Sequence, residues 1–163
     1  MKDFMKKAFS AYDKEWALVT AGNTENYNTM TISWGGLGTL WNKPVATVYV
    51  KPVRYTHSFL DENEYFTVSF YDEKYRQDLG ILGTLSGRDG DKVAKTALTP
   101  VAVGESVSFK QAKITLLCKK IYRQDLITDT MPQDAIDKYY IDEAPHTMFI
   151  GQVIDIIEKL IQR

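Results

Sequence analysis

The feature that most constrains this chain is an alternation of apolar and polar residues with a period of two, which recurs in six segments. In the clearest of them, residues 28–34, Met30, Ile32 and Trp34 alternate with hydroxyl-bearing residues. Successive side chains of a β-strand point to opposite faces, so this alternation predicts strands. The other predicted strands are 45–51, 65–71, 106–109, 112–122 and 147–153.

Short helices are predicted between the strands, from apolar residues at helical spacing in 4–12, 56–60, 74–82, 93–98 and 135–140. Asp89 is predicted to cap the fourth helix. The chain after Ile154 fits either a continued strand or a helical turn that includes Ile161. Six strands with interspersed helices favour a mainly β protein, a small antiparallel barrel with helical insertions. No linker or repeat divides residues 1–163, so one domain is expected.

Composition narrows the class of protein further. The 20 Lys and Arg against 21 Asp and Glu give a net charge of −1, which argues against a nucleic-acid or anionic-membrane partner. No apolar stretch is long enough to cross a bilayer, and the N-terminus lacks the apolar core of a signal peptide. The single cysteine, Cys118, lies on a predicted core face, and one cysteine allows no internal disulfide. One cysteine and two histidines are too few ligands to favour a zinc site. A cytoplasmic protein is expected.

The segment after the first predicted strand is rich in glycine: Gly35, Gly36 and Gly38. A dinucleotide-binding fingerprint would need a third glycine where this chain has Trp41, so the pattern predicts a strand-end turn instead. The strand itself carries a row of hydroxyls after Asn28: Thr29, Thr31 and Ser33. Hydroxyls without charge suit the polar edge of a planar heterocycle, although threonine is also simply a good strand residue.

Two turns are candidate anion sites. Residues 83–92, GTLSGRDGDK, combine three glycines with Ser86, Arg88 and Lys92, and glycines let backbone N–H groups converge on an anion. Residues 51–57, KPVRYTH, place Arg54 at a strand-to-helix junction. Without an anion, residues 83–92 would be a polar turn, and Arg54 would be an ordinary surface arginine. We interpret the two turns as two walls of one site.

His146, directly before the last predicted strand, is a candidate catalytic residue because histidine can donate, accept or change charge near neutral pH. The alternative is a structural histidine, and that alternative is favoured for His57, which lies within a predicted helix. Neither a Ser–His–Asp nor a Cys–His arrangement is recognisable, and the acidic run after Asp125 lacks the spacing of a calcium loop.

Taken together and in order, four blocks resemble the flavin reductase-like family of FMN-binding split barrels, and its flavoredoxin-type branch most closely: NTMTISWGGLGTLW, KPVATVYVKPVRYT, GTLSGRDGDK and PHTMFIGQV. The resemblance extends from Trp16 to about Ile154. It implies a six-stranded antiparallel split barrel with Greek-key character that binds FMN, usually as a homodimer with the flavin near the subunit interface.

The resemblance also implies roles for individual residues. The strand from Asn28 to Trp34 would line the isoalloxazine through Asn28, Thr29, Met30, Thr31, Ser33 and Trp34, with Tyr49 nearby. The phosphate would be approached by Arg54, Tyr55 and Thr56 and completed by Ser86, Gly87, Arg88 and Lys92. His146 matches a histidine that lies near the flavin in similar reductases, where a nicotinamide can dock. Residues 119–141 form an excursion that covers the flavin or shapes the dimer.

The leading hypothesis is an FMN-binding oxidoreductase that accepts hydride equivalents from NAD(P)H and passes electrons to free flavin or to a redox partner protein. Because the cofactor carries the electron chemistry, no protein nucleophile is required. The alternative is a non-catalytic FMN carrier or electron-transfer module without its own pyridine-nucleotide activity. A third hypothesis, a barrel that binds single-stranded nucleic acid on aromatic faces, is disfavoured by the near-zero net charge.

Overall fold

A computed structural model describes residues 1–159 of the chain. Its strands are β1 (Ala17–Gly22), β2 (Tyr27–Ile32), β3 (Gly35–Leu40), β4 (Lys43–Val50), β5 (Tyr65–Phe70), β6 (Pro100–Val103), β7 (Ser106–Phe109), β8 (Ile114–Asp125) and β9 (Thr147–Glu158). The α-helices are α1 (Lys2–Asp13), α2 (Tyr55–Glu62), α3 (Arg76–Thr84) and α4 (Gln133–Tyr139). None of the helices in residues 1–159 is long and apolar enough to cross a membrane.

Seven strands form one antiparallel sheet in the order β2-β1-β5-β8-β9-β4-β3, and β6 pairs with β7 in a separate two-stranded sheet. The mainly β architecture with short helices is confirmed. The expected six strands are wrong, because the main sheet has seven, and within the described residues its edge strands β2 and β3 do not pair to close it.

The strands β1, β3 and β6 were not predicted from alternation, and for β1 and β3 the reason is physical. All six residues of β1 are buried, so the strand shows no polar face to alternate with. The turn expected at Gly35–Gly38 is instead the start of β3, an edge strand joined to β4 by the two residues Trp41 and Asn42, both with positive φ. Such a two-residue turn imposes pairing on a segment whose glycines give little strand preference.

Several predicted boundaries also shift. The helix expected after Asp89 is replaced by 3₁₀ turns, and Ser86, not Asp89, caps the first of them by accepting a hydrogen bond from Arg88 N at 3.2 Å. Strand β9 continues through Ile154, which excludes a helical turn there; Ile161 lies outside the described residues. The expected excursion at 119–141 begins later than predicted, because β8 continues to Asp125. We call residues 126–146 the cover segment.

The main core lies against the sheet and contains Phe66, Val68, Phe149 and Cys118, each almost completely buried. Burial raises the pKa of the Cys118 thiol to about 12, which fits the prediction that this cysteine is a packing residue. Helix α1 joins this core through Tyr12. A Cβ at Gly35 would lie 2.7 Å from the Tyr12 ring, so the glycine lets α1 pack directly on β3.

Candidate functional site

Three segments that are distant in the chain meet at the N-terminus of α2. Asn28 Nδ2 donates to Thr56 Oγ1 at 2.8 Å. A Cβ at Gly87 would overlap Asn28 Oδ1 and lie 3.1 Å from Tyr55 Cδ1, so this close approach requires glycine. We call Asn28, Tyr55, Thr56 and Gly87 the three-way junction. The first N–H groups of α2 have no partner within the helix and carry its positive dipole end, which makes the junction suited to an anion.

Two guanidinium groups flank the three-way junction. Arg54 is the N-cap residue of α2, and its Nη2 donates to Gly83 O at 3.0 Å. Arg88 Nη1 donates to Val53 O at 2.9 Å, and its guanidinium carbon lies 5.0 Å from the centroid of the Tyr55 ring. Burial lowers the pKa of Arg54 from its ordinary value. The two predicted anion turns therefore lie together at one place in the fold.

Lys92 contributes to this region in another way. Its buried Nζ donates to Leu82 O at 2.9 Å and to Leu85 O at 3.0 Å, at the C-terminal end of α3. Burial, followed by the charge of Arg54, lowers its pKa to about 8. The amine satisfies carbonyls that the helix leaves unpaired. The amine is therefore engaged with α3, and Lys92 also lines a cavity of about 270 Å³ together with Asn28, Tyr55 and Gly87 of the junction.

Beside the junction lies a cavity of about 370 Å³, which we call the basic cavity. It is bounded by the end of β2, the end of β4 and the cover segment, and its lining residues are Met30, Thr31, Ile32, Ser33, Trp34, Tyr49, Lys51, Val53, Arg54, Tyr139, Glu143 and His146. Its lining contains two basic side chains, Lys51 and Arg54, and one acidic side chain, Glu143. Its lining includes the guanidinium group of Arg54 and the aromatic ring of Trp34.

The cover segment forms one wall of the basic cavity. Lys51 Nζ lies 2.6 Å from Glu143 Oε2 and donates to Tyr139 O at 2.9 Å. The Tyr139 ring packs edge-on against Trp34, with centroids 4.9 Å apart. Hydrogen bonding to Lys51 lowers the pKa of Glu143, so the carboxylate is ionised at neutral pH. Lys51, which directly follows β4, therefore attaches the cover segment to the end of that strand.

A second cavity, of about 670 Å³, lies between α1, β3 and the cover segment. We call it the aromatic cavity, and its lining residues are Ala8, Phe9, Tyr12, Asp13, Ser33, Trp34, Gly35, Gly36, Leu37, Tyr49, Leu126, Tyr140 and His146. It shares Ser33, Trp34, Tyr49 and His146 with the basic cavity. These four residues form the boundary between the two spaces.

His146 is uncharged at this boundary. Burial, and then the positive charge of Lys51, lowers its pKa to about 4. Its Nδ1 lies 2.9 Å from Tyr140 Oη, and its ring centroid is 5.0 Å from that of Trp34. His57, by contrast, is buried, and its Nε2 lies 2.8 Å from Thr147 Oγ1. This agrees with the interpretation of His57 as a structural histidine.

The three hydroxyl-bearing residues of the predicted row, Thr29, Thr31 and Ser33, have different surroundings in the structure. Thr29 is fully buried and its Oγ1 lies 2.8 Å from Thr20 Oγ1, so it does not reach either cavity. Thr31 lines the basic cavity but donates to Leu79 O at 2.5 Å. Ser33 alone of the three has no hydrogen-bond partner for its hydroxyl among residues 1–159. Met30 packs mainly in the core and contributes only to the cavity wall.

Other lining residues were not predicted. Lys51, Tyr139 and Glu143 were missed because their roles depend on how the cover segment folds back, which local patterns do not show. The pair Tyr139–Tyr140 was read only as part of an apolar helix stripe. Phe9 lies within the predicted helix 4–12 and Asp13 directly after it, and neither was predicted as a site residue. Among residues 1–159, no group of three His, Cys, Asp or Glu side chains is placed to hold a metal ion.

The fold and site define a class: an antiparallel β protein in which a junction flanked by two guanidinium groups lies beside the basic cavity. Residues 9–161 match the family model described as "Flavin reductase like domain", and the chain belongs to that family. No curated protein of similar sequence was found.

Solved structures share the fold. The flavoredoxin of Desulfovibrio vulgaris (Miyazaki F) is 23% identical with a TM-score of 0.71, and the match covers 92% of this chain and 72% of that one. Flavoredoxin from Methanosarcina acetivorans is 18% identical with a TM-score of 0.70, and the match covers 90% of this chain and 69% of that one. An FMN-binding domain of a flavin reductases-like enzyme from Shewanella baltica is 18% identical with a TM-score of 0.66, and the match covers 92% of this chain and 72% of that one.

Proposed function

We propose that this chain is an FMN-binding redox protein whose flavin phosphate binds at the three-way junction. The observation that carries the proposal is the convergence of the α2 N-terminus, Gly87 and two guanidinium groups at one point. A monophosphate carries about −1.5 to −2 charges, which Arg54 and Arg88 can balance. Family membership and the FMN-binding solved structures support the same ligand.

The isoalloxazine is proposed to lie in the basic cavity against the chain from Thr31 to Trp34. The apolar wall there suits the ring system, and the Ser33 hydroxyl is available for its polar edge. Bound FMN would supply the electron chemistry. The chain itself holds the phosphate, orients the ring, and excludes water through the cover segment.

We further propose that the protein is an NAD(P)H-dependent flavin reductase, with His146 as the candidate catalytic residue where the nicotinamide reaches the flavin. A neutral imidazole can orient an uncharged ring without repelling it. The aromatic cavity gives access to His146 and Trp34 from outside the basic cavity. Electrons would pass to free flavin or to a redox partner protein.

The second candidate is a flavoredoxin-like electron carrier without its own pyridine-nucleotide activity. It is favoured by the two flavoredoxins among the solved structures and by Trp34, whose side chain is 40% exposed beside the proposed flavin. An exposed aromatic ring at a flavin edge is a suitable contact for a protein partner.

Anaerobic reduction distinguishes the two candidates. Mixing the FMN-loaded protein with NADH or NADPH should bleach its flavin absorbance at catalytic rates if it is a reductase. Reduction only by a protein donor would support the carrier. In a reductase, His146→Asn should slow bleaching more than it weakens FMN binding, because the residue faces the reacting partner and not the phosphate. If the bleaching rate and the FMN affinity both stay at wild-type values, His146 has only a structural role.

We also propose a cytoplasmic homodimer. Exposed apolar side chains lie on α1 and at β3, including Phe9, Leu37 and Trp41, the last 61% exposed in the turn at positive φ. Exposed apolar side chains beside an unpaired edge strand are typical of an interface. Light scattering coupled to size-exclusion chromatography should give about twice the 18.6 kDa chain mass.

A further inference from the structure

The cover segment has no buried side chain of its own to hold it in place. Each of residues 126–146 is half-buried or exposed. A surface segment without apolar burial is positioned by its polar contacts and by its ends. These ends meet: Leu126 N donates to His146 O at 3.0 Å, and the flanking residues, Asp125 and Thr147, lie opposite each other in the β8–β9 pair. The position of His146 therefore depends on what the flanking residues contact.

Three side chains form a chain of hydrogen bonds at these ends, and we call His57, Thr147 and Asp125 the basal clasp. His57 Nε2 lies 2.8 Å from Thr147 Oγ1, and Thr147 Oγ1 donates to Asp125 Oδ1 at 2.6 Å. Thr147 is fully buried, and His57 is 8% exposed. Arg123 lies 3.2 Å from Asp125 Oδ1 and 2.7 Å from Asp61 Oδ1, so one guanidinium group balances both carboxylates beside the clasp.

The number of available protons fixes the direction of both hydrogen bonds in the clasp. Hydrogen bonding from Thr147 lowers the pKa of Asp125, so this carboxylate is ionised at neutral pH and can only accept. The single hydroxyl proton of Thr147 is therefore donated to Asp125, and the hydroxyl oxygen accepts from His57 Nε2–H. Burial lowers the pKa of His57, so the ring is neutral at pH 7 and its Nδ1, 3.5 Å from Asp61 Oδ2, carries no proton.

The clasp joins the base of the cover segment to a helix that is fixed in the core. Leu60, in the same helix α2 as His57, is completely buried in the main core. His57 directly follows Thr56 of the three-way junction, and Thr147 directly follows His146. The hydrogen bond of 2.8 Å between His57 and Thr147 therefore connects the proposed phosphate site with the candidate catalytic residue.

We propose that Thr147 and Asp125 are positioning residues: through the basal clasp they hold His146 at the boundary between the two cavities, in a fixed place relative to α2. Neither residue lines the basic or the aromatic cavity, so both act through His146. Their effect on flavin reduction rests on the proposed function, whereas their hold on His146 does not. Loss of the Thr147 hydroxyl would leave the attachment at Lys51 in place and loosen the base of the cover segment.

Thr147→Val tests the clasp, because valine has the shape of threonine and lacks the hydroxyl. The chain has two histidines, so the ring signals of His146 can be followed by NMR as the pH is changed. The pKa of His146 should rise from about 4 in the wild type to about 5 or above, because a loosened base exposes the ring to water. Hydrogen exchange of the Leu126 amide should accelerate about tenfold. Thr147→Ser restores the hydroxyl and should keep both values at those of the wild type.

Thr115→Val is the matched control. Thr115 is also a buried threonine, its Oγ1 lies 2.9 Å from Ser108 Oγ, and it is at the opposite end of β8 from Asp125. Its substitution should lower the free energy of unfolding as Thr147→Val does, without changing the pKa of His146. Asp125→Ala, at an exposed position, should reproduce the rise in the pKa and decides the question if Thr147→Val does not fold. A wild-type pKa of His146 in Asp125→Ala or Thr147→Val, or an equal rise in Thr115→Val, would overturn the proposal.

The consequence for the reaction is measured on the FMN-loaded protein. Thr147→Val should slow anaerobic flavin reduction by NADH or NADPH about tenfold, because a displaced His146 no longer orients the nicotinamide. FMN affinity, measured by flavin fluorescence, should stay at the wild-type value, since α2 remains in the core. Reduction at the wild-type rate despite a raised pKa of His146 would overturn the positioning role. If neither nucleotide reduces the wild type, the reductase proposal fails, and the titration of His146 still decides whether the clasp holds it.

Discussion

His146 shows how a single side chain can be kept in one charge state by its surroundings. The half-buried imidazole lies near Lys51 and bonds to Tyr140, and its pKa of about 4 lies below the ordinary value of 6.5. The histidine was predictable as a candidate from the sequence, but its charge state was not. That state depends first on burial of the ring and then on Lys51, which is 95 positions earlier in the chain and reaches His146 only through the fold.

This charge state predicts a pH dependence of stability. Between about pH 6.5 and 4 the unfolded chain binds a proton at His146 that the folded protein does not, so the free energy of unfolding should decrease as pH falls through that window. His146→Gln should remove about 1 kcal/mol of this decrease, a figure reduced for solvent screening. Urea unfolding of both proteins at pH 7 and 4.5 measures it. An identical decrease in both would show that His146 titrates normally.

Arg88 offers a test of the phosphate site at the residue scale. Arg88→Ala should weaken FMN binding by about 1.5–3 kcal/mol, the usual range for a hydrogen bond to a charged group. Lys95→Ala is the control, because Lys95 is exposed and lines neither the junction nor the basic cavity. Fluorescence titration gives both dissociation constants. If Arg88→Ala binds FMN as tightly as the wild type, the phosphate lies elsewhere.

At the scale of elements, pattern analysis located strands that have one polar face and missed those that have none. Strand β5 alternates visibly in sequence, whereas β1, which lies between β2 and β5 and is buried throughout, does not. Strand β3 was missed for the opposite reason, because its three glycines carry no pattern at all. Its existence depends on pairing with β4, which is a tertiary interaction.

The packing of α1 on β3 depends on one glycine. Gly35→Ala would place a methyl group 2.7 Å from both the Tyr12 ring and Thr47 O, so the helix must shift. We expect a loss of about 1–3 kcal/mol in the free energy of unfolding, as for other overpacked sites. Gly38→Ala in the same strand is the control, because a Cβ there meets nothing within 4 Å. Similar unfolding midpoints for the two variants in urea would contradict this account of α1.

At the scale of the whole molecule, the candidate site is assembled from segments that the sequence identified singly. The anion turns at 51–57 and 83–92 were interpreted as two walls of one site, and hydrogen bonds from Arg54 to Gly83 O and from Arg88 to Val53 O make them neighbours in the fold. Their common point of contact with Asn28 was not predictable, since it requires β2, α2 and the 3₁₀ turn to be positioned together. The cover segment was recognised as an excursion, but its attachment through Lys51 was not.

The central claim is that FMN binds with its phosphate at the three-way junction. Fluorescence titration of FMN into the wild type, Gly87→Ala and Gly80→Ala tests it most directly. Gly80 is a helix position where a Cβ meets nothing within 4 Å, so its substitution should leave FMN affinity unchanged, whereas a Cβ at Gly87 forces Asn28 and the turn apart. The account predicts one FMN per chain for the wild type and at least about tenfold weaker binding for Gly87→Ala, the loss of one or more hydrogen bonds to a charged group. Absence of FMN binding to the wild type, or equal affinity in all three proteins, would contradict it.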